Sequence, residues 1–220
     1  MSFTHLHLHT EYSLLDGLNK ISELATRVKD LGMDAVAITD HGNMYGAMEF
    51  YEQMKKASVK PIIGVEIYIA PNGMEKKEKD EERYHLVLLA KDMTGYKNLT
   101  KIVTESYMKG FYYKPRADYE VLKKYNEGII ALSACLQGEI AVKALRGDMG
   151  EVKKALYKYL DIFGRENFFV EVQNHGIEEE KRVMEIAKTL RDTENVKLIA
   201  TNDAHYMRRE DARAHDILLC

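Results

Sequence analysis

Apolar and polar residues along the chain follow two spacings, and each spacing predicts one kind of secondary structure. Residues 4–8 alternate apolar and polar side chains, which is the period of a β-strand. Residues 20–31 place apolar side chains at helical intervals, and Asn19 stands where a helix N-cap is expected. Further apolar runs predict buried strands at residues 35–39, 60–70, 85–90, 128–135, 167–172 and 197–201. Helical spacing recurs at residues 45–57, 98–108, 138–145, 149–163 and 178–191.

The predicted strands alternate with helices, which is typical of parallel strands joined by right-handed crossovers. Seven strands within 220 residues favour an α/β fold, a distorted seven-stranded (βα)7 TIM-like barrel, and a doubly wound open sheet is the second choice. We expect residues 1–220 to form a single domain. In such a barrel, the functional site lies at the carboxyl ends of the strands.

Composition and charge limit the possible partners and the cellular location. The net charge of −3 supplies no basic field, so this domain alone would hold a nucleic acid weakly and another part of the protein would add affinity. Two cysteines exclude a disulfide framework. The chain shows no signal peptide and no apolar run long enough to cross a bilayer, so we expect a cytoplasmic protein without membrane contact.

Candidate chemistry begins in the first predicted strand, where His5, His7 and His9 share one face. Adjacent buried imidazoles are costly unless a metal ion takes up their lone pairs, whereas an exposed edge strand with chance histidines is the simpler alternative. Ligand-type residues at the ends of other strands favour the metal. These residues are Asp16, Asp40, His41, Glu66, Cys135, Asp203 and His205. His85 fits less easily, because it opens its predicted strand.

This set is too large for a single ion and predicts a cluster of two or three divalent ions, with Glu66 as a bridging ligand. Zinc, manganese and iron all suit imidazole and carboxylate ligands, and the sequence does not choose among them. Such a cluster suits phosphoester hydrolysis, because metal ions generate hydroxide from water and neutralise charge on the leaving oxygen. We expect Glu66, Asp203 and His205 to act in catalysis.

Several candidates have a structural interpretation beside the functional one. A carboxylate such as Glu66 in an apolar strand is expensive to bury, so a metal explains it better than chance. Cys135 considered alone would be a small core residue. We expect Asp40 to orient an imidazole rather than bind metal, and His5 to be structural.

The segment of residues 107–116 interleaves aromatic residues with cations, as grooves for single-stranded nucleic acid do. Lys114, Arg116 and, beyond the last metal motif, Arg208 are the candidate substrate-binding residues. A loop whose aromatic rings pack on the barrel explains the same pattern equally well.

The motifs resemble a known family. His7-Leu-His9-Thr, Thr39-Asp-His41-Gly, Gly64-Val-Glu66 and Asp203-Ala-His205 are similar to the motifs of polymerase and histidinol phosphatase (PHP) domains. Gly110-Phe-Tyr-Tyr-Lys-Pro-Arg116, Ser133-Ala-Cys135-Leu-Gln-Gly-Glu139 and Asn202-Asp-Ala-His205-Tyr resemble the branch that forms the N-terminal domains of bacterial DNA polymerase III α subunits. The resemblance covers the whole chain and implies a distorted seven-stranded barrel with three metal ions.

The resemblance also implies how the ligands are shared. His7, His9, Glu66 and Asp203 would hold one ion, and Glu66, His85 and Cys135 a second. Asp16, His41 and His205 would hold the third. All nine positions carry a residue that is able to bind metal.

Three functions follow as hypotheses. The first is a metal-dependent 3′→5′ exonuclease that proofreads for an attached polymerase, with the 3′ end of primer DNA as substrate and the remainder of the α subunit and other replicase subunits as partners. The second is a catalytically silent, metal-stabilised structural module of the polymerase. The third is a stand-alone small-molecule phosphatase such as a histidinol phosphatase. The final helix, which ends at Cys220 without a cap, favours an excised N-terminal fragment of a larger subunit over the third hypothesis.

Overall fold

The computed structural model describes residues 3–78 and 82–220, which form an α/β domain around a curled seven-stranded mixed sheet. This architecture confirms the predicted fold class. The strands are β1 (Ala35–Ile38), β2 (Lys60–Ile69), β3 (Tyr84–Ala90), β4 (Arg116–Ala117), β5 (Ile129–Leu132), β6 (Phe168–Val172) and β7 (Lys197–Ala200). The helices are α1 (Ile21–Asp30), α2 (Ala47–Lys56), α3 (Met93–Met108), α4 (Tyr119–Lys124), α5 (Glu139–Leu145), α6 (Met149–Phe163), α7 (Glu178–Glu194) and α8 (Ala212–Leu218).

The sheet has the order β1-β2-β3-β5-β6-β7, and the short strand β4 pairs with β2. Strand β3 runs antiparallel to both β2 and β5, so the prediction of an all-parallel sheet was wrong. No helix separates β2 from β3 in the described residues, and without a crossover the chain can only return in the opposite direction. The start of β3 therefore lies at the carboxyl end of β2, where His85 pairs with Tyr68.

The predicted first strand is also wrong, because residues 4–8 form only single bridges, from His5 to Val36 and from Leu8 to Ala204. On one side, the amide of Ala37 donates to the carbonyl of His5 at 2.8 Å. On the other side, the amide of Ala204 donates to the carbonyl of His7 at 3.2 Å. The segment therefore joins the two edges of the curled sheet, β1 and the residues after β7.

Helices cover the outer face of the sheet, and side chains of successive strand residues alternate between the two faces. Val65, Ile67 and Leu88 pack outward in the large core beneath the helices. A smaller outer core joins α1, β1 and α2 around Phe50. The inner face is left with its own apolar cluster, which includes Val87.

Two helix starts differ from the expectation. Asn19 does not cap α1, because its amide nitrogen donates to the carbonyls of His9 at 2.7 Å and Ala204 at 2.9 Å. The carboxylate of Glu11 accepts from the amide of Ile21 instead, at 2.9 Å. Helix α3 begins five residues earlier than predicted, because Asp92 caps it by accepting from the amide of Gly95.

Strand β4 and helix α4 were not predicted. None of the helices formed by residues 3–78 and 82–220 combines the length and the apolar character that crossing a membrane requires.

Candidate metal centre

The inner face of the sheet changes from apolar to polar along its length. At one end Leu89 and Leu132 pack together with other apolar side chains. Toward the other end, Glu66 of β2, His85 of β3 and Glu171 of β6 occupy the inward positions, and all three are buried. The candidate centre therefore lies on this polar part, where β2 and β6 end and β3 begins.

The deepest group consists of His7, His9, Glu66 and Asp203. Atom Nε2 of His7 lies 3.1 Å from Nε2 of His9, 3.2 Å from Oδ1 of Asp203 and 3.3 Å from Oε1 of Glu66. Atom Nε2 of His9 lies 3.1 Å from Oδ1 of Asp203 and 3.7 Å from Oε2 of Glu66. Bonds of about 2.0–2.1 Å to a tetrahedral ion place its ligands about 3.3 Å apart. These separations therefore fit one metal ion at the centre of the group.

Hydrogen bonds at the opposite ring nitrogens fix the tautomers of both histidines. Nδ1–H of His7 donates to Oε1 of Glu171 at 2.7 Å, because a carboxylate can only accept. Nδ1–H of His9 donates to the hydroxyl of Ser13 at 3.0 Å, and that hydroxyl donates to Oδ1 of Asp40 at 2.8 Å. Nε2 of both rings therefore faces the centre, where burial lowers the pKa of His9 to about 4, while neighbouring carboxylates raise the pKa of His7 against the effect of burial. The expected influence of Asp40 on an imidazole reaches His9 through Ser13.

A second group shares Glu66. Its Oε1 atom lies 3.0 Å from Nδ1 of His85, which in turn lies 3.9 Å from Sγ of Cys135. The antiparallel direction of β3 explains why His85 belongs to this end of the sheet although it is close to the start of its strand.

A third group lies nearer to solvent. Oδ2 of Asp16 is 3.0 Å from Nε2 of His41 and 3.9 Å from Nε2 of His205. Nδ1–H of His205 donates to the carbonyl of Asp203 at 2.9 Å, so its Nε2 lone pair is free. Nδ1 of His41 lies 2.6 Å from Glu66, and the carboxylates of Asp16 and Glu66 raise the pKa of His41 to about 10 against the effect of burial.

Several buried ligand atoms lack a partner. Among the residues that the structure describes, both carboxylate oxygens of Glu66, Oδ1 of Asp203 and Oδ1 of Asp16 find no hydrogen-bond donor of suitable geometry. Buried unpaired oxygens are expensive, and a cation would satisfy them. The geometry and the donor set therefore fit divalent metal ions.

Local electrostatics agree with this fit. Burial opposes ionisation of Glu66, but His85 and His7 hold its pKa well below the usual range of a glutamate. His7 similarly lowers the pKa of Asp203 against the effect of burial. Burial raises the pKa of the Cys135 thiol well above its ordinary value, and Glu66 adds to the effect. A thiolate at Cys135 would therefore need a cation beside it.

A cavity of about 360 Å³ opens onto the third group, and Tyr68, Arg83, Lys114 and Gln137 also line it. Lys114 therefore lies beside the candidate centre, and its role in substrate binding stays a prediction. A larger neighbouring cavity of about 620 Å³ includes His5 and His175 in its lining. His175 is bonded to Glu180 at 2.6 Å and to the carbonyl of Asn202 at 2.7 Å, so both of its nitrogens are already used.

Arg116 contradicts the expectation that it binds substrate. Its side chain is fully buried, and its guanidinium donates to the carbonyls of Gly110 at 2.9 Å, Met74 at 3.2 Å and Lys76 at 2.7 Å. An arginine committed in this way cannot reach a phosphate in solvent. Arg208 is exposed, but it does not line either of these two cavities, which are formed by described residues.

Sequence reasoning missed three residues of the centre. Glu171 is a carboxylate in an otherwise apolar strand, which is the same signal that identified Glu66. Ser13 carried no signal of its own. Arg83, in the charged segment before β3, was not singled out either, although it lines the cavity.

Known proteins that resemble this chain agree with the geometry. Residues 5–175 match the PHP domain family. DNA polymerase III subunit alpha of Treponema pallidum is 45% identical over 223 residues, covering 100% of this chain and 19% of the relative. The same subunit of Helicobacter pylori is 45% identical over 229 residues, with 100% and 19% coverage, and that of Aquifex aeolicus is 46% identical over 232 residues, with 99% and 19% coverage. The chain thus spans about a fifth of the length of these curated relatives.

Solved structures resemble the fold at low sequence identity. A Bifidobacterium adolescentis protein described as a metal-dependent phosphoesterase has a TM-score of 0.58 and 12% identity, with 98% of this chain and 96% of that chain covered. An amidohydrolase from Chromobacterium violaceum with bound sulfate has a TM-score of 0.59 and 12% identity, with the same coverage.

Proposed function

Since the chain belongs to the PHP domain family, in the branch found in DNA polymerase III α subunits, we propose that it is a metal-dependent phosphodiesterase acting on DNA. Its proposed reaction is 3′→5′ removal of nucleotides from a primer end, which would proofread for the polymerase subunit that contains it. The remainder of that subunit and other replicase subunits are the proposed partners. The observation that carries the proposal is the convergence of His7, His9, Glu66 and Asp203 around one point with unpaired oxygens.

The proposed ligand sets follow the three groups. His7, His9, Glu66 and Asp203 would hold the deepest ion, Glu66, His85 and Cys135 a second, and Asp16, His41 and His205 a third. Glu66 bridges the groups, since its oxygens lie near His7, His85 and His41. When bound, divalent ions would lower the pKa of a water molecule and neutralise charge on a phosphodiester. Three such ions would exceed the charge of the four anionic ligands, and the surplus would attract phosphate.

The residues of the chain would position the reaction. Glu171 and the Ser13–Asp40 pair hold the two deep imidazoles by their Nδ1–H groups, so that Nε2 is presented to the centre. His205 lies partly exposed at the edge of the cavity with its Nδ1–H fixed on a carbonyl. Its Nε2, which has a free lone pair, is therefore the atom that we propose to hold the third ion where the substrate enters.

The open cavity favours an enzyme over a structural module. A purely structural metal site is closed by protein ligands, whereas the third group here lines a cavity of about 360 Å³. Asp16, His41 and His205 all remain partly exposed in it. The 3′ end of a DNA strand can reach this group through the opening. A metal site that only stabilised the fold would gain nothing from such an opening.

The experiment is a cleavage assay with the purified chain loaded with zinc or manganese. A 5′-labelled primer with a mismatched 3′ end should shorten from that end. Glu66→Gln should abolish shortening with an unchanged circular dichroism spectrum, because it keeps volume but removes the bridging charge. Glu52→Gln, on the exposed face of α2, is the matched control.

Two results would replace the proposal. An uncut primer with fully loaded wild-type protein would favour the structural module. Hydrolysis of histidinol phosphate without cleavage of DNA would favour the small-molecule phosphatase.

A further inference from the structure

Residues 110–116 form a tight turn beside the metal centre. The amide of Tyr112 donates to the carbonyl of Lys114 at 3.1 Å and closes the turn. Tyr113 occupies its tip with a φ of 58°, a region that bulky residues rarely adopt. Its side chain is 67% exposed. The turn thus places an aromatic ring in solvent at a cost in backbone strain.

The base of the turn is fixed. The buried guanidinium of Arg116 donates to the carbonyl of Gly110 and to the carbonyls of Met74 and Lys76, which lie between β2 and β3. No side chain fits at Gly110, because a Cβ atom there would lie 1.8 Å from the carbonyl oxygen of Arg116. The turn is therefore held rigidly at its base, and this fixed backbone keeps the side chain of Tyr113 exposed.

The turn packs against the residue that follows a proposed metal ligand. Gly42 follows His41, and a Cβ atom on Gly42 would lie 2.7 Å from Cγ of Pro115. Lys114 lines the cavity of the third group, with Nζ 5.5 Å from the centroid of the Tyr68 ring. The turn therefore carries one cation into the cavity and one ring beside it.

More exposed rings lie within the turn and beside it. Phe111 is 48% exposed and stacks with Tyr107 at a centroid distance of 6.1 Å. The hydroxyl of Tyr107 is hydrogen-bonded to that of Tyr45, which is 60% exposed and lies four positions after His41. We call Tyr45, Tyr107, Phe111 and Tyr113 the aromatic ledge.

We propose that the aromatic ledge binds the unpaired bases of single-stranded nucleic acid, while Lys114 binds a phosphate at the entrance to the metal centre. Stacking on rings combined with a nearby cation is the usual basis for binding single strands without regard to sequence. The commitment to nucleic acid rests on Lys114 and Arg83, which line the cavity beside the ledge and can bind phosphates, since a peptide partner would have no use for such a pair. Cleavage of the bound nucleic acid rests on the proposed function, but binding of the nucleic acid does not.

The test measures binding of the full chain to fluorescent oligothymidylate by anisotropy, in chelator so that no cleavage occurs. An abasic oligonucleotide, which is a sugar–phosphate strand of the same length without bases, serves as the second probe. Tyr113→Gly keeps the turn, because glycine adopts positive φ without strain. This variant and Phe111→Ala should each weaken oligothymidylate binding by about tenfold and leave binding of the abasic strand unchanged. Tyr113→Phe should bind like the wild type.

Lys114→Ala should weaken binding of both probes and flatten the salt dependence by about 0.7 in the logarithmic slope, as expected for one phosphate on a single strand. Tyr157→Ala, at an exposed tyrosine of α6, is the matched control. Equal affinities of wild type and Tyr113→Gly, or equal affinities of wild type for the two probes, would overturn the proposal. Loss of cleavage with base-dependent binding intact would count only against the nuclease function.

Discussion

Nδ1 of His7 lies 2.7 Å from Oε1 of Glu171, and both side chains are completely excluded from solvent. The same carboxylate oxygen also accepts hydrogen bonds from the hydroxyl of Thr201 and, at 3.1 Å, from the amide of Gln173. Glu171 therefore has a fixed position and holds the His7 ring with Nε2 toward Glu66 and Asp203.

The replacement Glu171→Gln should reduce metal affinity by about 10- to 100-fold, the range typical when a partner of a ligating histidine is removed. The amide would no longer supply the negative charge that would make His7 a strong ligand. Competition against a chromophoric chelator measures the change. Glu185→Gln, at an exposed position of α7, should leave affinity unaltered. If the two variants bind metal equally well, Glu171 has no influence on the centre.

We expect at least two divalent ions per chain after equilibration with excess zinc or manganese. The reason is that two of the three ligand groups contain Glu66, whose two oxygens have no donor of suitable geometry among the described residues. Elemental analysis of the dialysed protein measures the ratio. A value of one or less would contradict the proposed cluster.

Removing the metal should lower the melting temperature. Ligand that binds only the folded state at about a hundredfold above its Kd stabilises it by about 3 kcal/mol, which for a chain of this size corresponds to roughly 10 °C. Thermal unfolding with and without chelator, followed by circular dichroism, measures the shift. An unchanged melting curve after confirmed metal loss would show that the ions do not support the fold.

Arg116→Ala should destabilise the fold by about 3–5 kcal/mol, because it leaves buried carbonyls without donors and opens a cavity. The buried guanidinium bonds to Gly110, Met74 and Lys76 are the reason. Urea unfolding in chelator measures the effect. Lys114→Ala on the same turn should change stability by no more than about 0.5 kcal/mol. Equal stabilities would mean that Arg116 does not brace the turn.

Acid should weaken the buried cluster around Glu139. Burial opposes the charge of Glu139, but Lys143 and Lys158, both at 2.9 Å, and the hydroxyl of Tyr119 at 2.7 Å lower its pKa overall. A folded-state pKa below the unfolded value means that the charged form stabilises the fold. The contribution is therefore complete above the unfolded pKa of about 4.3 and is lost as the pH falls through the folded pKa.

The corresponding test compares wild type with Glu139→Gln by urea unfolding in chelator. The variant should be less stable by a constant margin from pH 7 to about pH 5, and the margin should shrink below about pH 4.5. Glu120→Gln, whose carboxylate is exposed on α4, serves as control. A margin that stays constant in acid would show that Glu139 gains nothing from its charge.

The secondary structure followed closely from apolar spacing, and α6 has the bounds that the sequence predicted. The direction of β3 did not follow, since a strand covered on both faces is apolar whichever way it runs. The segment around His7 alternates like a strand, yet its backbone bonds pass from one sheet edge to the other. The apolar–polar spacing within a segment does not indicate which distant segments it will pair with.

The nine ligand positions predicted from the sequence come together in the structure, and their roles as ligands remain predictions. Their convergence was predictable because most follow strands that end at the same side of a barrel. Arg116 was not predictable, because the carbonyls of Met74 and Lys76 that bind its side chain belong to a loop without a sequence signal. Glu171 needed only the argument already applied to Glu66.

The bonds from Asn19 to Ala204 join positions 185 residues apart, and those from His7 to Glu171 span 164. Contacts of such separation form late, because the intervening chain must first be ordered. During synthesis, His7 and His9 emerge long before Glu171 and Asp203, so the early chain carries imidazoles that have no partners. We therefore expect metal capture to be the last step of folding, delayed until β6 and β7 have left the ribosome, and interrupted chains to aggregate rather than to bind metal.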